Sequence, residues 1–147
     1  MGPDYRIRRA VVSDLDDLER IALGIAGGTW RRNTLESEMK LAWSRVEILD
    51  EGRKTRGFMV WWHTENEIEL QVVATDAEQR RRGVATVLMR HLLESARALG
   101  VSRVMLEVQS SNEAARTLYD KLGFVVVGVR PRYYGGEDAV LMDWACH

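Results

Sequence analysis

Apolar residues recur along this chain with two periods, and each change of period marks an element. YRIRRAVV alternates weakly and then meets Ser13, which reads as an N-cap with Asp16 three residues on. Leu15, Leu18, Ala22 and Ile25 follow at helical spacing, so a strand leads into a helix that Gly27 and Gly28 are expected to end. Asn33 with Glu36 repeats the capping pattern and opens a short helix carrying Leu35, Met39 and Trp43. RVEILDE, a turn at Gly52, TRGFMVWW and NEIELQVVAT then predict three strands of a meander. From Val84 the helical period returns at Val87, Leu88, Leu92, Ala96 and Leu99 and stops at Gly100, a C-cap. RVMLEVQ predicts the strand that receives this crossover, and NEAARTLYDKL a short helix closed by Gly123. FVVVGVR and DAVLMDWAC predict two last strands joined through PRYYGGE. The pattern is mixed α/β, without internal repeat, linker or low-complexity segment.

Length and composition narrow this to one globular domain, residues 1–147, with 46% hydrophobic residues to build its core. The 21 basic and 22 acidic residues nearly cancel, which disfavours a coat for nucleic acid or for an anionic membrane. No apolar run approaches the roughly 20 residues of a membrane helix, and MGPDYRIRRA lacks a signal-peptide core. Arg6 breaks the myristoylation pattern. A soluble, cytoplasmic protein is expected. Cys146, the single cysteine, rules out an internal disulfide and a cysteine-built zinc site, and fits a reducing compartment. His63, His91 and His147 lack ligand spacing, so no metal is expected.

The charge that matters is local. QRRRGVATVLM places Arg80, Arg81 and Arg82 before Gly83 and the apolar helix, after a strand expected to end at Thr75. Unpaired amides and the dipole at a helix start attract anions, and phosphate suits them. Gly83 permits close backbone approach, Ala85 keeps the floor low, and the arginines can neutralise phosphate at the rim. The pattern is neither GxxxxGK[ST] nor GxGxxG. Taken alone it is equally a solvated arginine loop before an ordinary amphipathic helix.

The second half of the chain, VVATDAEQRRRGVATVLM through LEVQSSNEAARTLYDKLGFVVVGVRPRYYGGEDAVLM, resembles the GCN5-related N-acetyltransferases (GNAT). Arg80 to Ala85 fall on their [QR]xxGx[GA] signature. Within that family LEV, SN, AA, LYDKLGF and YY followed by EDA are similar to the bacterial RimI type, the ribosomal-protein alanine N-acetyltransferases. The resemblance implies a GNAT fold: a mixed central sheet of about seven strands with about four helices, in which a central parallel pair splays apart. It also implies acetyl-CoA as co-substrate. Arg80, Arg81, Arg82, Gly83, Val84, Ala85 and Thr86 would line its pyrophosphate site, with Val73, Ala74 and Thr75 along its pantetheine arm. Glu107 is implied as general base, Tyr119 as general acid, and Asn112 as a further cofactor contact. Tyr133 and Tyr134 would clamp the acceptor.

The residues carry readings of their own. Glu107 interrupts the apolar run VMLEV, so on a central strand its carboxylate must face a cleft or a partner such as Arg103 or Arg116. Tyr119 between Leu118 and Leu122 also suits a core aromatic, and Asn112 suits a helix cap. Tyr133 and Tyr134 point to opposite faces of a strand, so at most one lines a groove unless the chain turns at Gly135 and Gly136. Trp61 and Trp62 alternate likewise, one packed inside and the other exposed or over the acceptor cleft. No residue reads as an activated nucleophile, so direct transfer is expected. About a tenth of an α-amine with pKa near 7.7–8.0 is neutral at pH 7, against roughly one in a few thousand for lysine. A protein N-terminus therefore needs only a modest base, consistent with the implied acceptor, the N-terminal alanine of a small-subunit ribosomal protein. A lysine side chain or small amine as acceptor, and a non-catalytic acetyl-CoA sensor, are the alternative readings.

Overall fold

A computed structural model describes residues 4–25, 28–79 and 83–146, apart from the side chains of Tyr133 and Tyr134. The strands are β1 (Tyr5–Arg9), β2 (Ser44–Glu51), β3 (Lys54–Thr64), β4 (Glu67–Thr75), β5 (Arg103–Gln109), β6 (Val125–Tyr134) and β7 (Glu137–Ala145). They form one sheet in the order β1-β2-β3-β4-β5-β7-β6. The helices are α1 (Leu15–Ala22), α2 (Arg32–Lys40), α3 (Val84–Leu99) and α4 (Glu113–Lys121). All pairings are antiparallel except that of β4 with β5, which the long crossover through α3 makes parallel.

Each face of the sheet has its own core. Leu15, Leu18, Ile21 and Leu35 of α1 and α2 pack on Val46, Ile48, Phe58, Val60, Val72 and Ala74. Leu88, Met89, Leu92 and Ala96 of α3, with Tyr119 of α4, pack on Leu49, Met59, Ile68, Leu70, Leu106, Val108 and Met142. The strand residues of one core alternate with those of the other, as a sheet covered on both faces requires. β4 breaks this rule. Ile68 and Leu70 face α3, yet Val72 and Ala74, of the same parity, face α1. Val60 pairs with Val72 and Trp61 with Leu70, so Gln71 is an extra residue, a bulge that turns the rest of the strand over.

Four local expectations are corrected. Ser13 lies inside a 3-10 turn, Val12–Asp14, and Asp14 serves the helix entry instead by accepting the Val11 amide at 2.7 Å. α1 ends at Ala22, several residues before Gly28; Gly27 lies outside the described residues. Asn33 is within α2 rather than at its cap, because Glu19 of α1 reaches over to accept the Arg32 amide at 3.1 Å and Asn33 bonds the Thr34 amide. PRYYGGE is not all loop, since β6 continues through Tyr134 with its register interrupted between Arg130 and Tyr134. Only Gly135 and Gly136, both at positive φ, make the turn, which suits a tight two-residue hairpin. The expected helix over Val84–Leu99 is present, and Gly100 caps it in the left-handed region at φ 72°.

Gly57 fixes the height of α3 above the sheet. A Cβ there would lie 2.7 Å from the Ala74 carbonyl oxygen and 2.7 Å from Val84 Cγ1. Backbone on one side and a buried side chain on the other leave it nowhere to go. Gly57→Ala is expected to destabilise by about 1–3 kcal/mol and to lower the thermal midpoint by roughly 3–10 °C, as a calorimetric scan beside wild type would measure.

Candidate active site

The bulge at Gln71 has a direct effect on the centre of the sheet. β4 and β5 pair only as Glu67 with Arg103, Ile68 with Val104 and Glu69 with Met105. Beyond that point β4 has turned over and the two strands part. A cavity of about 670 Å³ opens between them, lined by Leu70 to Thr75 on one side and Glu107 to Gln109 on the other. Its walls come from both faces: Ile21, Gly24 and Ile25 from α1 and its exit, and Ala85, Asn112, Ala115, Leu118 and Tyr119 from α3 and α4. The cleft therefore passes through the sheet.

The start of α3 stands over this cleft. Gly83 precedes it at φ 83°, a left-handed conformation that glycine adopts without strain, and among the described residues the first helical bond runs from the Val87 amide to the Gly83 carbonyl. The amides of Val84, Ala85 and Thr86 thus precede the helical ladder. Ala85 lines the cavity, while the Val84 side chain is buried in the core against α3's own face of the sheet. Arg80, Arg81 and Arg82 lie outside the described residues. The strand before them ends in a 3-10 turn, Ala77–Gln79, held by the Gln79 amide on the Asp76 carbonyl and by Arg20 of α1 on the Asp76 carboxylate at 3.1 Å.

Glu107 projects from β5 on the side opposite Leu106 and Val108, so it reaches the cleft from the face that bears α1. Its partner is neither of the arginines considered from the sequence. Arg103 pairs with Glu67 and with Asp143 at 2.8 Å, and Arg116 donates to the Ser110 carbonyl. Arg130 of β6 holds Glu107 Oε1 at 3.2 Å. Tyr119 comes to the same cleft from the other face, its ring tilted against Phe124 at 5.8 Å. Burial pushes its phenol up to about 12. Asn112 does cap α4, accepting the Ala115 amide at 3.2 Å, and also lines the cavity. Glu137 steadies the turn before it by accepting the Ser111 amide at 2.6 Å, and the hydrogen bonding from Ser111 holds its carboxyl below the usual range.

Of the residues singled out from the sequence, Val73, Ala74, Thr75, Ala85, Asn112, Glu107 and Tyr119 meet at this one cavity. Gly83, Val84 and Thr86 stand at the helix start without lining it. Tyr133 and Tyr134 close β6 at the hairpin, their side chains outside the description. Sequence reasoning missed Ile21, Gly24 and Ile25, which looked like an ordinary helix end, and Arg130, whose only signal was an arginine in a valine-rich strand. Trp61 is buried and donates to Glu47 at 2.6 Å, tying β3 to β2, while half-buried Trp62 donates to Glu38 at 2.6 Å, tying β3 to α2; neither lines the cleft. Among the described residues no group of His, Cys, Asp or Glu could hold a metal, and no helix is long and apolar enough to cross a membrane.

Residues 32–124 match the sequence profile of the Acetyltransferase (GNAT) family. The [ribosomal protein bS18]-alanine N-acetyltransferase of Escherichia coli (strain K12) is 32% identical over 117 residues, 77% of this chain and 78% of that one. The crystal structure of the ribosomal-protein-S18-alanine N-acetyltransferase from Escherichia coli matches with a TM-score of 0.89 at 28% identity, over 97% of this chain and 94% of that chain. Ard1 from Thermoplasma volcanium follows with a TM-score of 0.86 at 26% identity, over 98% and 99%. A parallel pair that splays at a bulge, a glycine-led helix above the gap and a profile match across most of the chain agree: this is a RimI-like N-acetyltransferase and belongs to the GNAT family.

Proposed function

We propose that this enzyme transfers acetyl from acetyl-CoA directly to the N-terminal α-amine of a protein, the alanine of a small-subunit ribosomal protein, with Glu107 as general base and Tyr119 as general acid. The observation that carries the reading is that these two side chains enter one cleft from opposite faces of the sheet. The acceptor approaches from the face of Glu107, and the leaving sulfur departs on the face of Tyr119.

The residues present fit the co-substrate. From Leu70 to Thr75 the edge of β4 toward β5 has no strand partner, so its amides and carbonyls are available to an amide-bearing arm. The amides at the start of α3 suit its phosphates, and among the described residues a Cβ at Gly83 would meet nothing within 4 Å. Arg80, Arg81 and Arg82 belong to this phosphate site in the same reading. When bound, acetyl-CoA supplies the acetyl group as a thioester. Glu107 takes the amine proton on its carboxylate, which Arg130 holds by Oε1 at 3.2 Å. Tyr119, with its phenol pushed up to about 12, keeps its proton at Oη until a thiolate needs it. Tyr133 and Tyr134, beside the hairpin turn, are assigned to the acceptor.

The test is thiol release from acetyl-CoA with a peptide bearing a free N-terminal alanine, beside the same peptide with a blocked N-terminus and an internal lysine. Turnover with a strong preference for the free alanine is expected. Equal turnover of the blocked peptide would transfer the assignment to a lysine or small-amine acceptor, and tight acetyl-CoA binding without turnover of either would make the protein a sensor.

A further inference from the structure

The face of the sheet on which Glu107 lies is covered by α1 and α2 only as far as β4. Beyond it β5, β7 and β6 present a floor whose rows can be read from the strand register. Met105 pairs with Asp143 and that with Val125; Glu107 with Leu141 and that with Gly128; Gln109 with Ala139 and that with Arg130. Cross-strand partners share a face, so these three rows lie side by side. Two features of the floor bring Arg130 to Glu107 across an intervening strand. Gly128 contributes no side chain to the row of Glu107, and Ala139 is too small to block the next. The guanidinium reaches Glu107 Oε1 at 3.2 Å while remaining half exposed. The floor's other carboxylate, Asp143, is likewise held by an arginine, Arg103, at 2.8 Å.

We propose that Arg130 is a positioning residue that fixes the Glu107 carboxylate and sets the enzyme's preference for an α-amine over a lysine ammonium. The inference rests on the reading of Glu107 as the base. Its physical content is the charge met by the incoming amine. A bare carboxylate attracts cations of every kind, and a lysine is cationic almost all of the time. A carboxylate already paired with a guanidinium presents little net charge, so a permanent cation gains little by approaching it and still has to lose its proton. An α-amine is neutral often enough to arrive in the reactive form. Arg130 also holds one carboxylate oxygen at 3.2 Å and so limits the orientations open to the group that lines the cleft.

The experiment measures kcat and KM for the free-alanine peptide and for the blocked lysine peptide with wild type, Arg130→Gln, Arg130→Lys and Glu107→Gln, each checked by thermal melting. For Arg130→Gln, kcat on the free alanine is expected to fall and KM for the lysine peptide to fall with it. The ratio of the two kcat/KM values should shrink on the order of tenfold, equivalent to about 1.4 kcal/mol. Arg130→Lys is expected to restore the ratio, because it restores the charge, while recovering kcat only in part. An unchanged ratio in Arg130→Gln, or an equal loss of kcat on both peptides with KM unmoved, overturns the inference and leaves Glu107 as base. Wild-type turnover by Glu107→Gln overturns the assignment of the base, and the role of Arg130 with it.

Discussion

Glu107→Gln is expected to lower kcat/KM for the free-alanine peptide by about a hundred- to ten-thousandfold, the usual contribution of a positioned general base. The amide matches the carboxylate in size and keeps a contact with Arg130, so shape and strand pairing persist. The lost ion pair is half exposed and costs at most about 1 kcal/mol, which separates the catalytic effect from unfolding. Tyr119→Phe forms the companion measurement. It keeps the ring against Phe124 and removes only the proton donor, with an expected loss toward the lower end of the same range, about a hundredfold. Because the phenol is pushed up to about 12, Tyr119 stays protonated through the ordinary assay range, and an alkaline fall in rate should not begin with it. Steady-state kinetics of both variants beside a melting curve decide the matter. Near wild-type turnover with intact folding would remove the residue concerned from the mechanism.

The largest expected effect on stability lies far from the cleft. Arg8 of β1 donates to both oxygens of Asp14 at 2.9 Å and to Asp50 of β2 at 2.7 Å, so one guanidinium serves two mostly buried carboxylates. Asp14 also receives the Val11 amide, which ties the entry of α1 to the first two strands. Arg8→Leu strands both carboxylates without their cation and is expected to cost about 3 kcal/mol, the low end for breaking a buried pair because Arg8 is itself partly exposed. The pH dependence has a definite sign. The Arg8 guanidinium holds the Asp14 carboxyl below its ordinary value. A depressed carboxyl contributes stability above its unfolded value, near 3.9, and loses it as pH falls through the folded one. The gap between wild type and Arg8→Leu in urea midpoint should therefore be full at pH 7 and narrow below about pH 4. A gap constant from pH 7 to pH 3 would assign the loss to packing.

Much of the frame was legible because it depends on periods and punctuation. The strand RVMLEVQ appears as written, and the helix from Val84 stops at Gly100 as its spacing requires. Helix entries were harder, since Ser13 and Asn33 have the right chemistry and lost to other carboxylates, the neighbouring Asp14 gripped by Arg8 and Glu19 reaching from another helix. Both contacts join residues of different elements, β1 to the entry of α1 and α1 to α2. The strand end, glycine and helix start that meet at the cleft were legible for the opposite reason, because they are consecutive in the chain. The face of the cleft that Glu107 reaches gathers the exit of α1, β5 and β6 from three distant segments. Glu107 could be chosen from its place in an apolar run, but the identity of its partner depended on strand order, which sets β7 between β5 and β6. Gly57 gave no signal, as the carbonyl of Ala74 that excludes a side chain there is on a neighbouring strand.

The single unpaired residue in β4 makes the gap at the sheet's centre a matter of counting rather than of side-chain identity. Leu70 and Val72 owe their opposite orientations to the existence of position 71, whichever residue stands there. The cleft is thereby insulated from most point substitutions at that position. It is exposed to any change of length, since removing one residue would bring the far end of the strand back into phase and let the sheet zip shut. Wall residues of this cleft can therefore change while the gap itself stays where the count put it.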